Sequence, residues 1–237
     1  MSRRKTAKYN LAIELDNVIQ SPKPIWGNLQ GKWKSAYFKN DHQLVLELGC
    51  GRGEYTNGLA KIFLDKNFIG VDVKGNRMYI GAKKCLDAHI PNAAFLRTQI
   101  TLLTDYFKPA EVDEIWITFP DPQLRTSKAK KRLTHPAFLR LYQQILQPKG
   151  CIHLKTDSPK LYTFTKQVIE MYQLLLIEDC NDVYASNPSE SLRIKTHYEA
   201  LDIAGSNTIY YLQFQLPATI PNLDDELQQI LKETENQ

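Results

Sequence analysis

The sequence is poor in the features that mark membrane, secreted or metal-binding proteins. Among its 237 residues no apolar run approaches the roughly 20 residues that a membrane-spanning helix needs, so no membrane partner is expected. The basic start MSRRKTAK is not followed by an apolar stretch of the secretory kind, and the expectation is a cytoplasmic protein. Cysteine is sparse: Cys50, Cys85, Cys151 and Cys180 lie far apart without a CxxC pair, which predicts buried free thiols rather than a zinc site or a disulfide framework. The five histidines show no metal-ligand spacing, so no metal is expected, and His135 and His153 read as structural. There is no internal repeat.

What remains is a chain with 43% hydrophobic and 24% charged residues, enough for one generous domain with extensions. Strand-like and helix-like segments alternate, which predicts a doubly wound α/β sheet. Strands are expected at 44–48, 67–71, 93–97, 113–119 and 151–155, with helices near 54–64, 75–88, 136–146 and 159–172. Two further strands at 174–177 and 208–216, with no clear helix between them, predict an antiparallel hairpin closing the sheet. Residues 1–40 read as an irregular basic extension, 41–218 as the main domain, and 219–237 as an acidic tail with helical character. The net charge of +4 conceals an asymmetry, because residues 222–237 carry five acids against Lys232 and are therefore −4, leaving +8 for the rest. Positive charge gathers at Arg3, Arg4, Lys5 and Lys8, and again at Arg125, Lys128, Lys130, Lys131 and Arg132. Such clusters suit a polyanion through counterion release, although a charge run is often only a solvated face.

The strongest local signal is LVLELGCGRG, Leu44 to Gly53: a buried strand running into a glycine-rich turn of the kind that holds a nucleotide-like ligand. A dinucleotide fingerprint is missing here too, because Glu54 stands where the third glycine or alanine should be, facing the place of a pyrophosphate. Glu47 at the end of a buried strand demands a partner. Asp72, closing the next strand, occupies the position that binds ribose hydroxyls. Together these suit S-adenosylmethionine, whose amino-acid and adenosine ends carry no phosphate; an ordinary strand-to-helix turn with an incidental acid is the plainer alternative. Further along, Phe119-Pro120-Asp121-Pro122 fixes one carboxylate rigidly at a strand end, and Lys155-Thr156-Asp157 places a second beside it. Two acids on one edge suit the hydrogen-bond donors of guanine, while Thr156 or Asp157 equally suits capping of the helix that follows.

In that order, LELGCGRG, GVD, FPDP with a basic loop ending in KKRLTHPAFL, LKTD and Thr196-His197-Tyr198-Glu199 closely resemble the bacterial tRNA (guanine-N7)-methyltransferases over roughly residues 40 to 200. The resemblance implies a Rossmann-like class I S-adenosylmethionine-dependent fold, with a seven-stranded, mostly parallel sheet and an antiparallel terminal strand. It implies methylation of a guanine in the tRNA variable loop, conventionally position 46. By match of position, Glu47, Gly49, Gly51, Asp72, Gln99 and Asp121 would line the cofactor site, with Asp121 catalytic. Arg125, Asp157, Thr196, Tyr198 and Glu199 would contact substrate, and Lys128, Lys130, Lys131 and Arg132 would grip tRNA phosphates. The protein would act as a monomer or a homodimer. Four departures stand out: Gln123 replaces the usual tryptophan, Arg125 a lysine and Gln99 an aspartate, and the loop from Leu124 to Lys130 lacks the usual histidines. Methylation of an exocyclic amino group and a non-catalytic RNA-binding role are the competing readings.

Overall fold

The computed structural model describes residues 11–20, 28–197, 199 and 208–235. Its frame is one sheet built from β1 (Val18–Ile19), β2 (Gln43–Leu48), β3 (Lys66–Asp72), β4 (Ala93–Arg97), β5 (Val112–Thr118), β6 (Leu146–Thr156), β7 (Leu175–Cys180) and β8 (Tyr210–Gln215), in the order β1-β4-β3-β2-β5-β6-β8-β7. All neighbouring pairs from β1 to β6 are parallel, and β8 runs antiparallel to both β6 and β7. The expected mostly parallel α/β sheet is therefore present, with eight strands rather than seven. The additional strand lies within the N-terminal stretch read as irregular, where Val18 and Ile19 pair with Phe95 and Leu96 at the sheet edge. The closing unit also differs from a simple hairpin, because β8 inserts between β6 and β7.

Parallel strands buried on both faces need apolar side chains on both, and the alternation shows it. Leu44, Leu46 and Leu48 pack with Ile69, Val71, Ile115, Ile117 and Leu154 on one face, while Val45 joins Phe68, Phe95, Trp116 and Tyr211 on the other. Glu47 therefore points to the same face as Val45, beneath α1 (Glu54–Ile62). Further α-helices include α2 (Gly75–Asp87), α3 (Pro136–Gln143), α4 (Pro159–Met171), α5 (Glu190–Arg193) and α6 (Asp224–Glu235). α3 is shorter than expected because β6 already begins at Leu146, paired with Val112. α6 carries acids in its first turn and is tied down by Asp224, which takes both Arg140 (2.7 and 3.0 Å) and the Tyr172 hydroxyl (2.9 Å). Among the described residues no helix is long and apolar enough to cross a membrane, and no group of three or more His, Cys, Asp or Glu could hold a metal ion.

Strand order fixes where a ligand belongs. From β2 the chain moves outward to β3 and β4, then returns to lay β5 on the opposite side of β2. The reversal leaves a crevice beyond the carboxyl ends of β2 and β5, where the glycine turn and the Phe119–Pro122 turn emerge.

Candidate active site

The glycine turn is shaped from within. Gly49, Gly51 and Gly53 all have positive φ (76°, 55° and 67°), and the amides of Gly49 and Cys50 both donate to the Val71 carbonyl. Gly49 is exposed, and a Cβ built on it would meet nothing within 4 Å, so open space lies directly over the backbone there. Gly53 is constrained by close packing: its Cβ would lie 2.5 Å from Phe95 and 3.3 Å from Gly81. Gly81, on α2, is the counterpart, since a Cβ there would sit 2.3 Å from the Arg52 carbonyl oxygen. Sequence reading did not single out Gly81; only the approach of α2 to the turn reveals its role.

Glu47 has its partners. Its carboxylate accepts from the Thr56 amide (2.7 Å), the Thr56 hydroxyl and the Thr118 hydroxyl (2.7 Å), locking α1 and β5 to the end of β2. Burial outweighs these donors and pushes its carboxyl up to about 7. Asp72 accepts from the amides of Gly51 (2.9 Å) and Lys74 (2.8 Å), one on each oxygen, and is half-buried. Each oxygen keeps a lone pair for a further donor. Gln99 lies exposed just beyond β4, and its side-chain amide makes no hydrogen bond among the described residues. These groups fit S-adenosylmethionine by chemistry. An open glycine backbone would admit the ligand, Asp72 would offer acceptors to ribose hydroxyls, and Gln99 would offer an amide to an adenine edge.

Across the crevice, Asp121 is exposed on a turn flanked by two left-handed residues, Phe119 (φ 46°) and Gln123 (φ 47°). Neither is glycine, and each such conformation costs of order 1–3 kcal/mol. The Asp121 carboxylate accepts from the Gln123 amide at 3.0 Å, and the Phe119 amide bonds to the Lys155 carbonyl at 2.8 Å. Gln123, placed where the related pattern has tryptophan, thus bends the chain. The basic segment then forms a tight three-residue-per-turn helix, Thr126–Lys131. Its period puts Thr126, Ala129 and Arg132 on the buried side and leaves Arg125, Lys128, Lys130 and Lys131 exposed.

Three sequence expectations need correction. Arg132 is drawn inward where the sequence suggested an exposed cation: it is 5% exposed, donates to the carbonyls of Pro122 (3.2 Å) and Gln123 (3.1 and 3.3 Å), and lies 4.4 Å over Phe164. Thr196 and Glu199 turn inward. Their amides and side chains bond reciprocally, Glu199 N to Thr196 Oγ1 at 3.1 Å and Thr196 N to Glu199 Oε2 at 3.4 Å, which is a capping box. That T-x-x-E signature was present in THYE and marks local structure. Finally, Ser158 caps α4 by accepting from the Leu161 amide, so neither Thr156 nor Asp157 does; Thr156 Oγ1 instead accepts from the Ser158 amide. Asp157 is half-buried at the same edge as Asp121. Tyr198 lies outside the described residues, as do Arg3, Arg4, Lys5 and Lys8.

Lys155 completes the arrangement; the sequence marked it only as the first residue of Lys155-Thr156-Asp157, with no role of its own. Its fully buried ammonium donates to the carbonyls of Leu192 (2.8 Å) and Ile194 (2.9 Å) and pairs with Glu199 (3.1 Å). The Tyr184 hydroxyl also bonds Glu199, and the rings of Tyr55, Phe119 and Tyr184 surround the ammonium at 5.5–5.6 Å. Burial lowers the Lys155 pKa, and Glu199 partly offsets this. His135 and His153 are indeed committed within the fold: His135 Nδ1 caps α3 by accepting from the Ala137 amide, and His153 bonds Tyr211 and stacks on Trp116.

Comparison with known proteins agrees with this geometry. A family described as a putative methyltransferase matches residues 41–212. A tRNA (guanine-N(7)-)-methyltransferase of Porphyromonas gingivalis is 52% identical over 190 residues, covering 79% of this chain and 77% of the relative. The protein of the same name from Bacteroides thetaiotaomicron is 45% identical over 222 residues, covering 92% and 87%. Among solved structures, a SAM dependent methyltransferase from Aquifex aeolicus superposes with a TM-score of 0.52 at 13% identity, covering 74% of this chain and 82% of that one, which speaks to the fold alone. With the switch-point crevice, the glycine turn and these relatives in agreement, the chain belongs to the tRNA (guanine-N7)-methyltransferase family.

Proposed function

We propose that this protein methylates N7 of a guanine in tRNA, at position 46 of the variable loop, with S-adenosylmethionine as donor. The observation that carries the reading is the exposed Asp121 carboxylate, held rigidly at the end of β5 across the crevice from the glycine turn. Glu47, Gly49, Gly51, Asp72 and Gln99 would hold the cofactor, Glu47 by fixing the turn and the others by facing it. When bound, S-adenosylmethionine supplies an electrophilic methyl group. Guanine N7 presents an unprotonated lone pair, so no general base is needed and the residues act by holding the base in line. The Asp121 carboxylate would stabilise the positive charge that develops on the base. Arg125 and Asp157 border the same edge as substrate contacts, with Thr196 and Glu199 beside them, Glu199 held by Lys155. The exposed Lys128, Lys130 and Lys131 supply phosphate contacts beside the Asp121 turn.

Methyl transfer to unmodified tRNA, followed by mass spectrometry of the digested nucleosides, tests the reading. N7-methylguanosine from the variable loop is expected, and N6-methyladenosine or no methylated product would overturn it. Asp121→Ala should lower kcat at least 10²-fold while leaving cofactor binding largely intact; near wild-type turnover would remove Asp121 from the mechanism.

A further inference from the structure

Arg132 closes the basic loop onto its own beginning. The loop leaves the Asp121 turn at Gln123 and returns at Arg132, whose guanidinium reaches back to the carbonyls of Pro122 and Gln123. On its other side lies the Phe164 ring of α4, 4.4 Å away, which itself stacks with His135. The backbone on either side of Arg132 is fixed as well: its amide bonds the Ala129 carbonyl and its carbonyl accepts from the His135 amide. A planar guanidinium has the geometry to bond two adjacent carbonyls while lying flat on a ring, and a lysine does not. The carbonyls it grips belong to the two residues directly after Asp121, one of them the left-handed Gln123. A strained turn persists only when its surroundings over-determine it, and Arg132 supplies that determination.

We propose that Arg132 is a positioning residue for methyl transfer, holding the Asp121 turn from beneath, and that it makes no phosphate contact. This rests on Asp121 acting on the base, as inferred above. Loss of the clamp would let the Asp121 carboxylate wander from its place, an error that costs rate rather than tRNA affinity.

The experiment compares Arg132→Lys and Arg132→Met with Lys131→Ala, using steady-state kinetics, cofactor titration calorimetry and the salt dependence of tRNA binding. The expected result is a kcat loss of about tenfold for Arg132→Lys and on the order of 10²-fold for Arg132→Met. KM for tRNA, the cofactor Kd and the slope of log K against log[salt] should stay within error of wild type. Lys131→Ala should instead flatten that slope by about one phosphate contact. If Arg132→Lys also flattens the slope, or leaves kcat unchanged, the proposal is overturned. Thermal melting confirms that each variant is folded at the assay temperature, and Arg132→Lys serves if Arg132→Met is not. Combining Arg132→Lys with Asp121→Asn separates the two ideas. If both hold, the double variant is no slower than Asp121→Asn alone; additive losses would mean that Arg132 acts elsewhere. Full activity of Asp121→Asn by itself would overturn the role of Asp121.

Discussion

Replacing Lys155 by methionine removes a charge from the interior while keeping the length of its apolar stem, so the effect reports on what the ammonium holds. In the native structure the side chains of Lys155 and Glu199 are 0% and 5% exposed. The substitution leaves the Glu199 carboxylate without its cation and strips donors from the carbonyls of Leu192 and Ile194. Removing one partner of a buried pair costs about 3–5 kcal/mol, because the remaining charge stays desolvated. Two effects reduce this. The Tyr184 hydroxyl and the Thr196 amide still donate to Glu199, and the desolvation of Lys155, visible in its lowered pKa, no longer has to be met. A net loss of about 3 kcal/mol is expected.

Adding Glu199→Gln to Lys155→Met removes the orphaned charge, and the double variant should regain on the order of 2 kcal/mol over the single one. Urea unfolding at pH 7 without ligands measures both, provided the slope of the transition is the same in all variants. A loss below about 1 kcal/mol for Lys155→Met, or strict additivity of the two substitutions, would refute the claim that Lys155 braces Leu192, Ile194 and Glu199 against the end of β6.

Two further predictions concern the glycine turn. Burial pushes the Glu47 carboxyl up to about 7 in the fold from its ordinary 4.5, so its favourable contribution is complete below pH 4.5 and fades as the pH rises to 7. At roughly 1.4 kcal/mol per unit this is on the order of 3 kcal/mol, and Glu47→Gln should flatten wild-type unfolding curves over that window; parallel curves would contradict it. Gly81→Ala should destabilise by about 1–3 kcal/mol and weaken S-adenosylmethionine binding, despite the better helix propensity of alanine, because its Cβ would press on the Arg52 carbonyl. A raised melting temperature with unchanged cofactor affinity would show that α2 yields and the turn does not.

Much of this architecture was legible in the chain because it depends on local pattern. The apolar runs at 44–48 and 67–71, which end at Gly49 and Asp72, and at 93–97, which follows Pro91-Asn92, mark buried parallel strands, and a proline on either side of Asp121 marks a rigid strand end. β1 was not legible, since two residues carry no periodicity and Val18 and Ile19 are ordered by pairing with Phe95 and Leu96. The insertion of β8 between β6 and β7 is a choice among long-range pairings that strand-by-strand reading does not resolve. Nor does the residue type of Lys155 announce a buried cation: its partners lie 37 to 44 positions away.

The basic loop shows most clearly where charge stops being informative. Lys130, Lys131 and Arg132 are consecutive cations, yet the first two are exposed and the third is buried. Composition treats them alike, and a helical period of 3.6 gives no reason to separate them. A period of three does, because Thr126 and Ala129 precede Arg132 at that spacing and both are buried. Whether the stripe then ends in a solvated charge or a clamp is decided by Phe164, on a helix that the chain builds later. The ring offers the guanidinium a face while the carbonyls of Pro122 and Gln123 offer acceptors, so the cation nearest the sheet is drawn inward. Its neighbours keep their water, which is why one run of charge can both hold the Asp121 turn and leave exposed cations beside it.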